Sequence, residues 1–448
     1  MVIVVAGILG INQLYRAVQA GYSVRLLEQA GGVGGTWYWN RYPGCRFDSE
    51  SYTYGYLFSA ELWQEWDWSE EFAPQPETER YLNHVVDKFD LRRHIRLNSK
   101  VTSAVWDEAS ATWTTRTEDG FEVRSRYLVS TTGVLSVPQY PDVPGREEFR
   151  GETYHPVRWP KEPVDLRGKR VAVIGTGSTG VQIGPAIAGE VESLVMYQRS
   201  ATWATPLNNH PISADQQAYL KANYEPIKAE LDASVGGFLH KPAGKKWTED
   251  TPEQRQAFNR PNVELVSLRD TPIVKVTETG IETSDRLREF DVIIWATGFD
   301  FGTGAMLRMG IVGEGGLTLN DYWADGPLTY LGIMAHGFPN FFFPGGPHGA
   351  AGNNPRYGEH QIVFVQNLID YARVHEKRRI EVPREDEQAW MGMIAQLLPY
   401  SSFMKRGQYY GGNTPGKPMA YLLNPGGRPK LDEFMVKAVE SGYAGFLA

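Results

Sequence analysis

The chain opens on a continuous β-branched run, VIVV at 2–5, followed by AGILG at 6–10 and a segment of helical apolar spacing that reaches about Ala20. SVRLLE then reads as a second strand ending in Glu28. A buried strand, a glycine-bearing turn, a helix and another strand make a βαβ unit. The same order recurs further on, as VAVI at 171–174, GTGSTG at 175–180, a helix to about Ala188, and the strand SLVMYQRS ending in Arg199 and Ser200. Between the two units, VTSAVWD, TWTTRT and EVRSRYLVS alternate apolar and polar positions within 96–131, which predicts a small antiparallel meander. Pro138, Pro141 and Pro144 then make a stiff connector. Residues 201 to about 257 are polar and helical in pattern, and FDVIIWATGFD at 290–300 holds a buried strand. PNFFFPGGP at 339–347 reads as a strand with a close-approach turn, and 358–376 as a helix whose spacing core packing explains.

Two such units in 448 residues predict an α/β fold of two Rossmann-like dinucleotide-binding domains with a helical insertion. The expected boundaries are a discontinuous first domain at 1–138 and 301–448, a linker at 139–170, and a second domain at 171–300 that includes a helical cap at about 201–257.

Composition narrows the partners. With 42% hydrophobic and 22% charged residues the chain is a folded one, and a net charge of −8 leaves no basic footprint for nucleic acid. No run of about 18 apolar residues is present to span a membrane. The lone Cys45 excludes an intramolecular disulfide and any C-x-x-C redox pair, which fits a cytoplasmic, reducing setting. His348 and His360 lack carboxylate or cysteine partners at ligand spacing, so no metal site is expected. Nothing in the pattern fixes an oligomeric state.

The candidate chemistry lies in the turns. Glycines let a backbone approach a pyrophosphate at a helix N-terminus, which assigns Gly7 and Gly10 to one nucleotide, with Glu28 on a ribose hydroxyl. Val5 stands where the first glycine of that motif belongs, and a β-branched residue strains such a turn. A single glycine between Val5 and Ala6 would restore GAGILG. In the second unit Gly175, Thr176, Gly177, Ser178, Thr179 and Gly180 form the complete motif. Arg199 and Ser200 replace the usual acid, and a guanidinium there pairs with a 2′-phosphate, so NADPH is preferred to NADH.

Between the units lies FRGETYHPVRWP at 149–160, with Phe149, Gly151, His155 and Trp159 in the spacing F-x-G-x-x-x-H-x-x-x-W. This resembles the fingerprint of Baeyer–Villiger monooxygenases, FAD-containing enzymes that turn a ketone into an ester or lactone with dioxygen and NADPH. The resemblance implies FAD and NADP(H) as cofactors and a ketone and dioxygen as substrates. It places GGTWYWNRYPGCRFD at 34–48 on the flavin, with Gly35, Thr36, Trp37 and Tyr54 in contact and Asp48 near the reactive face. Asp48, His155 and Trp159 become the residues assigned to catalysis, the last two by linking the domains and sensing cofactor occupancy. TTG at 131–133 and the Ala-Thr-Gly at 296–298 resemble segments that return the chain to each cofactor, and GGNTPGKP at 411–418 one that lines the nicotinamide pocket. The family often has Trp where Gln408 falls. Members also carry a Lys-Arg pair shortly before the strand that corresponds to FNRPNVELV at 258–266; TPEQRQA offers Arg255 alone. A heteroatom-oxidising flavin monooxygenase is the competing reading, against which Trp159 speaks, since that family usually has Tyr or Phe there. A disulfide reductase is excluded by the lone cysteine, and an uncoupled or non-catalytic flavoprotein stays open because of Val5 and the short cap.

Overall fold

In a computed structural model the protein is described at residues 1–201, 207–239, 260–349, 352–400 and 416–446. Val2–Val4, a fully buried strand, is the centre of a five-stranded parallel sheet in the order Phe341–Phe342, Leu128–Ser130, Val2–Val4, Arg25–Leu27, Ile95–Arg96. Its two faces are covered, which is why the run is continuous rather than alternating. Helix Ile8–Gln19 packs on one face, and the long helix Asn354–Val374 packs across it. Gln13 donates to Gln366 at 3.0 Å, Tyr22 donates to Asp370 at 2.6 Å, and Arg16 pairs with Glu359 at 3.2 Å. The C-terminal part of the chain thus completes the first sheet and its helical layer.

The second sheet is also parallel, in the order Val263–Ser267, Ser193–Gln198, Arg170–Ile174, Val292–Trp295, Glu152–Tyr154. Its edge strand comes from the segment read as a linker. Glu152, Thr153 and Tyr154 pair with Val292, Ile293 and Ile294, so the stretch between Gly151 and His155 of the fingerprint is built into this sheet. The predicted meander is observed as Val101–Asp107, Thr112–Thr117 and Glu122–Ser125, with Ile311–Val312 added in parallel at its edge. EVRSRYLVS splits in two: Glu122–Ser125 stays in the meander while Leu128–Ser130 joins the first parallel sheet. A three-stranded antiparallel unit, Ile273–Val276, Gly280–Thr283 and Leu287–Glu289, precedes the strand Val292–Trp295.

The helical insertion is described as Ala214–Ala222 and Tyr224–Ala233, while Arg255, Gln408 and most of GGNTPGKP lie outside the described residues. Leu220, Tyr224, Ile227 and Leu231 pack against Leu57, Tyr52 and Trp63 of the first unit. Among the described residues no helix is long and apolar enough to cross a membrane, and no cluster of metal-ligating side chains occurs. Cys45 is buried, and burial pushes its thiol up to about 12. It is no nucleophile at neutral pH.

His348 ties the C-terminal segment to the first unit. Its Nε2 meets the Tyr421 carbonyl at 2.9 Å and its Nδ1 the Thr329 hydroxyl at 2.9 Å. A carbonyl only accepts, so Nε2 carries the proton and Nδ1 accepts from Thr329: the ring is neutral, and burial brings it down to about 4. Unfolded, this histidine protonates near 6.5, so its contribution is complete above that pH and is lost as pH falls toward about 4. The loss is on the order of 3 kcal/mol for a shift of this size. Denaturant unfolding followed from pH 7 to 4.5 is expected to show a decline that is smaller in His348→Gln; an equal decline in both proteins refutes the assignment.

Candidate cofactor site

A cleft of about 350 Å³ opens where the first sheet's strands end, and Gly7, Glu28, Gly35, Thr36, Trp37 and Tyr54 all line it. Gly10 sits just beneath. A Cβ at Gly10 would stand 1.9 Å from the Val5 carbonyl oxygen, and one at Gly35 would stand 2.7 Å from the Gly7 Cα. Neither tolerates a side chain. These are backbone-on-backbone approaches of the kind a dinucleotide's diphosphate requires. Thr131 closes the floor, its hydroxyl donating to Val4 and Val5 carbonyls at 2.8 and 3.0 Å. Glu28 is buried, and its two oxygens accept from Ala6 N at 2.6 Å and Ala30 N at 2.7 Å. Burial raises its pKa and these donors oppose the rise. Each oxygen keeps a lone pair for a hydroxyl, so the chain's residues fit the ribose of FAD.

Val5 is the misfit. It holds φ at 82°, a left-handed value in which a β-branched side chain is strained, and its side chain lines the cleft. The backbone has kept the turn that glycine would make there, without the glycine.

Trp37 donates from its indole to the Tyr54 hydroxyl at 3.0 Å, and Phe47 stacks on Tyr54 at 4.3 Å. Burial raises the Tyr54 pKa, and the Asp48 charge adds to the rise. Asp48 itself is exposed and does not line the cleft. Its link to the site is through Tyr54.

The second motif is regular. Gly175 has φ 108°, and a Cβ there would lie 2.3 Å from the Ala296 carbonyl oxygen, so the second return segment packs on the first glycine. A Cβ at Gly180 would lie 2.1 Å from the Gly175 oxygen, whereas Gly177 faces open space. Helix Ser178–Ile187 begins there, carrying Ser178 and Thr179, and Thr176 accepts from Gln198 at 3.1 Å. Arg199 and Ser200 follow the strand Ser193–Gln198, and Arg269 donates to the Arg199 carbonyl at 2.9 Å. The described residues fit a second dinucleotide with its ribose at that end.

The fingerprint residues lie outside the cleft lining, with Phe149 and Gly151 packed in the second unit. His155 is buried; its Nδ1 accepts from Val157 N at 3.3 Å and its ring lies 5.1 Å from Tyr140 and 6.1 Å from Phe299. Burial lowers it to about 4, so it is neutral. Trp159 is buried 5.1 Å from Tyr154. His155 thus sits beside the crossing between the units, and neither residue lines the cleft.

Sequence reasoning passed over the cations that line the cleft, Lys100, Arg158 and Arg308. Arg158 was legible as the polar residue inside HPVRWP, but nothing in spacing says which way it faces. Asp300 was also missed: it is buried and pairs with Lys417 at 2.6 Å and Arg308 at 2.8 Å.

The Pyridine nucleotide-disulphide oxidoreductase family model matches residues 2–261. The chain is 35% identical to an acetone monooxygenase (methyl acetate-forming) of Gordonia sp. (strain TY-5), covering 98% of this chain and 97% of that one. A phenazine N-monooxygenase of Lysobacter antibioticus is 33% identical over 100% of this chain and 96% of its own. The structure of a cyclohexanone monooxygenase from Rhodococcus sp. Phi1 bound to NADP+ matches with a TM-score of 0.94 at 33% identity, covering 100% of this chain and 98% of that chain.

The strain at Val5 has a measurable consequence. Val5→Gly removes roughly 1–3 kcal/mol of backbone strain and adds back part of it as glycine's chain entropy. The flavin-free variant is expected to unfold in urea with about 1 kcal/mol more stability than the parent; no gain means that the turn is relaxed with valine in it.

Proposed function

The chain belongs to the Baeyer–Villiger monooxygenases, and from that membership we propose that it uses NADPH and dioxygen to insert oxygen beside a ketone carbonyl, giving an ester or lactone. The observation that carries this reading is the segment Phe149–Trp159, threaded through the junction of two dinucleotide sites. Bound FAD, reduced by NADPH, would supply the oxygen activation. The residues described supply placement and shelter. Gly7, Gly10 and Gly35 admit the FAD diphosphate, Glu28 receives a ribose hydroxyl, and Gly175 to Gly180 receive the second diphosphate. Trp37, Phe47 and Tyr54 form an apolar wall that excludes water, which protects a reactive oxygen species from wasteful loss. Asp48, whose charge raises the Tyr54 pKa, would act on this wall from outside the cleft lining, orienting a cation there. His155 and Trp159 hold the two units in register. The single buried cysteine supports a cytoplasmic setting.

A second reading, oxygen transfer to a nitrogen or sulfur atom, is favoured by the phenazine N-monooxygenase among the full-length relatives. Product identity separates the two. Given 18O-labelled dioxygen, NADPH and a panel of cyclic, aryl and long-chain ketones, the protein is expected to form labelled esters with one NADPH consumed per product. Heteroatom oxides from a parallel panel of N-heterocycles, with no ester from any ketone, would move it to the second reading; hydrogen peroxide alone would mark an uncoupled oxidase.

Cofactor preference follows from Arg199. Arg199→Ala is expected to weaken NADPH about ten- to a hundredfold, the worth of one charge-assisted contact, while NADH is unaffected. Titration of the two nucleotides into the flavin-loaded protein measures both, and an unchanged NADPH affinity sinks the assignment.

A further inference from the structure

The positive charges that line the cleft are matched by acids, with one exception. Lys100 pairs with Glu118 at 3.0 Å, and Arg308 with Asp300 at 2.8 Å. Arg158 makes no ion pair among the described residues; its hydrogen bond goes to the neighbouring Val157 carbonyl at 3.2 Å. Its guanidinium stands 4.7 Å from the ring centre of Trp39, which also lines the cleft. A cation on an aromatic face still has N–H groups to offer a ligand, and here only one bond, to Val157 O, is made among the described residues. An arginine placed over an aromatic ring, lining a cleft shaped for a dinucleotide and itself without a carboxylate partner among the described residues, is a preformed site for phosphate oxygens.

Position supports this. Arg158 follows the strand Glu152–Tyr154 of the second sheet and reaches back to Trp39, at the end of the helix Thr36–Trp39 of the first unit. Lys161 makes a parallel contact, 4.4 Å from the Tyr38 ring centre, so the segment is fixed against this helix at two points. Arg158 is exposed as a residue, while partial burial of its guanidinium lowers the pKa of the group.

We propose that Arg158 is a cofactor-binding residue whose guanidinium holds the phosphate groups of a dinucleotide at this junction. The inference rests on the reading of two dinucleotide sites. The diphosphate can come from FAD or from the nicotinamide dinucleotide, and the two are separated by measuring both.

Flavin-free protein is titrated with FAD, and flavin-loaded protein with NADP+, at low and high salt, in the parent, Arg158→Gln and Arg158→Lys. Arg158→Gln is expected to weaken one of the two dinucleotides about tenfold at low salt and to flatten its salt dependence, because a charge contact has gone. The dinucleotide affected identifies the source. Arg158→Lys keeps the charge and is expected to retain most of the affinity and the salt dependence. Affinities within twofold for both dinucleotides in Arg158→Gln overturn the proposal. So does a loss of the same size at both salt concentrations, or one equal in Arg158→Lys, since those are the marks of a packing role on Trp39. A parent protein that binds neither dinucleotide overturns the two-site reading along with it, whereas a parent that binds both while Arg158→Gln is unchanged overturns the Arg158 proposal alone.

Discussion

Three backbone hydrogen bonds keep the two halves of the molecule in register: Gln139 N to Gly298 O at 3.0 Å, Asp300 N to Val137 O at 2.9 Å, and Gly302 N to Val134 O at 3.1 Å. They pair the chain as it leaves the first nucleotide loop, after Thr131–Gly133, with the chain as it leaves the second, after Ala296–Gly298. Each exit carries the backbone from one sheet toward the other, so the pairing makes a short antiparallel ribbon between the sheets. Rotation of one unit against the other has to bend this ribbon or break its bonds. The surrounding side chains reinforce it. Thr297 donates to the Gln139 carbonyl at 2.6 Å, Asp300 collects Lys417 and Arg308, and His155 lies between Tyr140 and Phe299. The fingerprint histidine is thus a buried, neutral ring packed between residues on the two strands of this ribbon.

The two nucleotide loops solve one steric problem to different degrees. In both, a helix begins so close to the preceding strand that a Cβ would strike a carbonyl oxygen, at 1.9 Å for Gly10 and 2.1 Å for Gly180. Gly175 supplies the left-handed turn that makes this approach possible, at φ 108°. Val5 makes its counterpart at φ 82° under strain. Strain of that kind persists only where neighbours over-determine the backbone, and here Thr131 grips both the Val4 and the Val5 carbonyl while Glu28 grips Ala6 N. The first loop is therefore held from outside, by the return segment and the acid, where the second is held by its own glycines.

Much of this was legible from residues alone because period and glycine placement are local. The continuous runs VIV and VAVI, the alternation in VTSAVWD, and the misplaced Val5 each have a local physical meaning that the structure repeats. What was not legible is non-local. Glu152–Tyr154 has no strand signature beyond three residues, and only pairing with Val292–Ile294 makes it the edge of a sheet. Ile311–Val312 and Phe341–Phe342 are two-residue strands whose partners lie some two hundred residues earlier in the chain. The direction in which Arg158 faces, the burial of Asp300 and the exposure of Asp48 likewise follow from tertiary packing. No spacing rule reports them.

This chain is shorter than the stretch over which it aligns with a relative. The alignment with the acetone monooxygenase spans 518 positions, more than the 448 residues here, so that relative carries segments for which this chain has no counterpart. The described part of the insertion is nonetheless firmly seated. Trp63 donates to the Leu220 carbonyl at 3.1 Å, Tyr224 donates to the Leu57 carbonyl at 2.7 Å, and Leu231 is fully buried. These contacts fall on the segment that follows the flavin motif, on the same stretch of chain as Tyr54. The aromatic residues Trp37 and Tyr54 that line the cleft come from the first unit, and the insertion packs on their chain neighbours Tyr52, Leu57 and Trp63. A cleft walled in this way draws its positive charge from residues fixed to the two-unit frame, of which Arg158 stands free of any acid among the described residues. Binding of an anionic cofactor there would neutralise the Arg158 charge and join the junction segment to the cofactor in a single step.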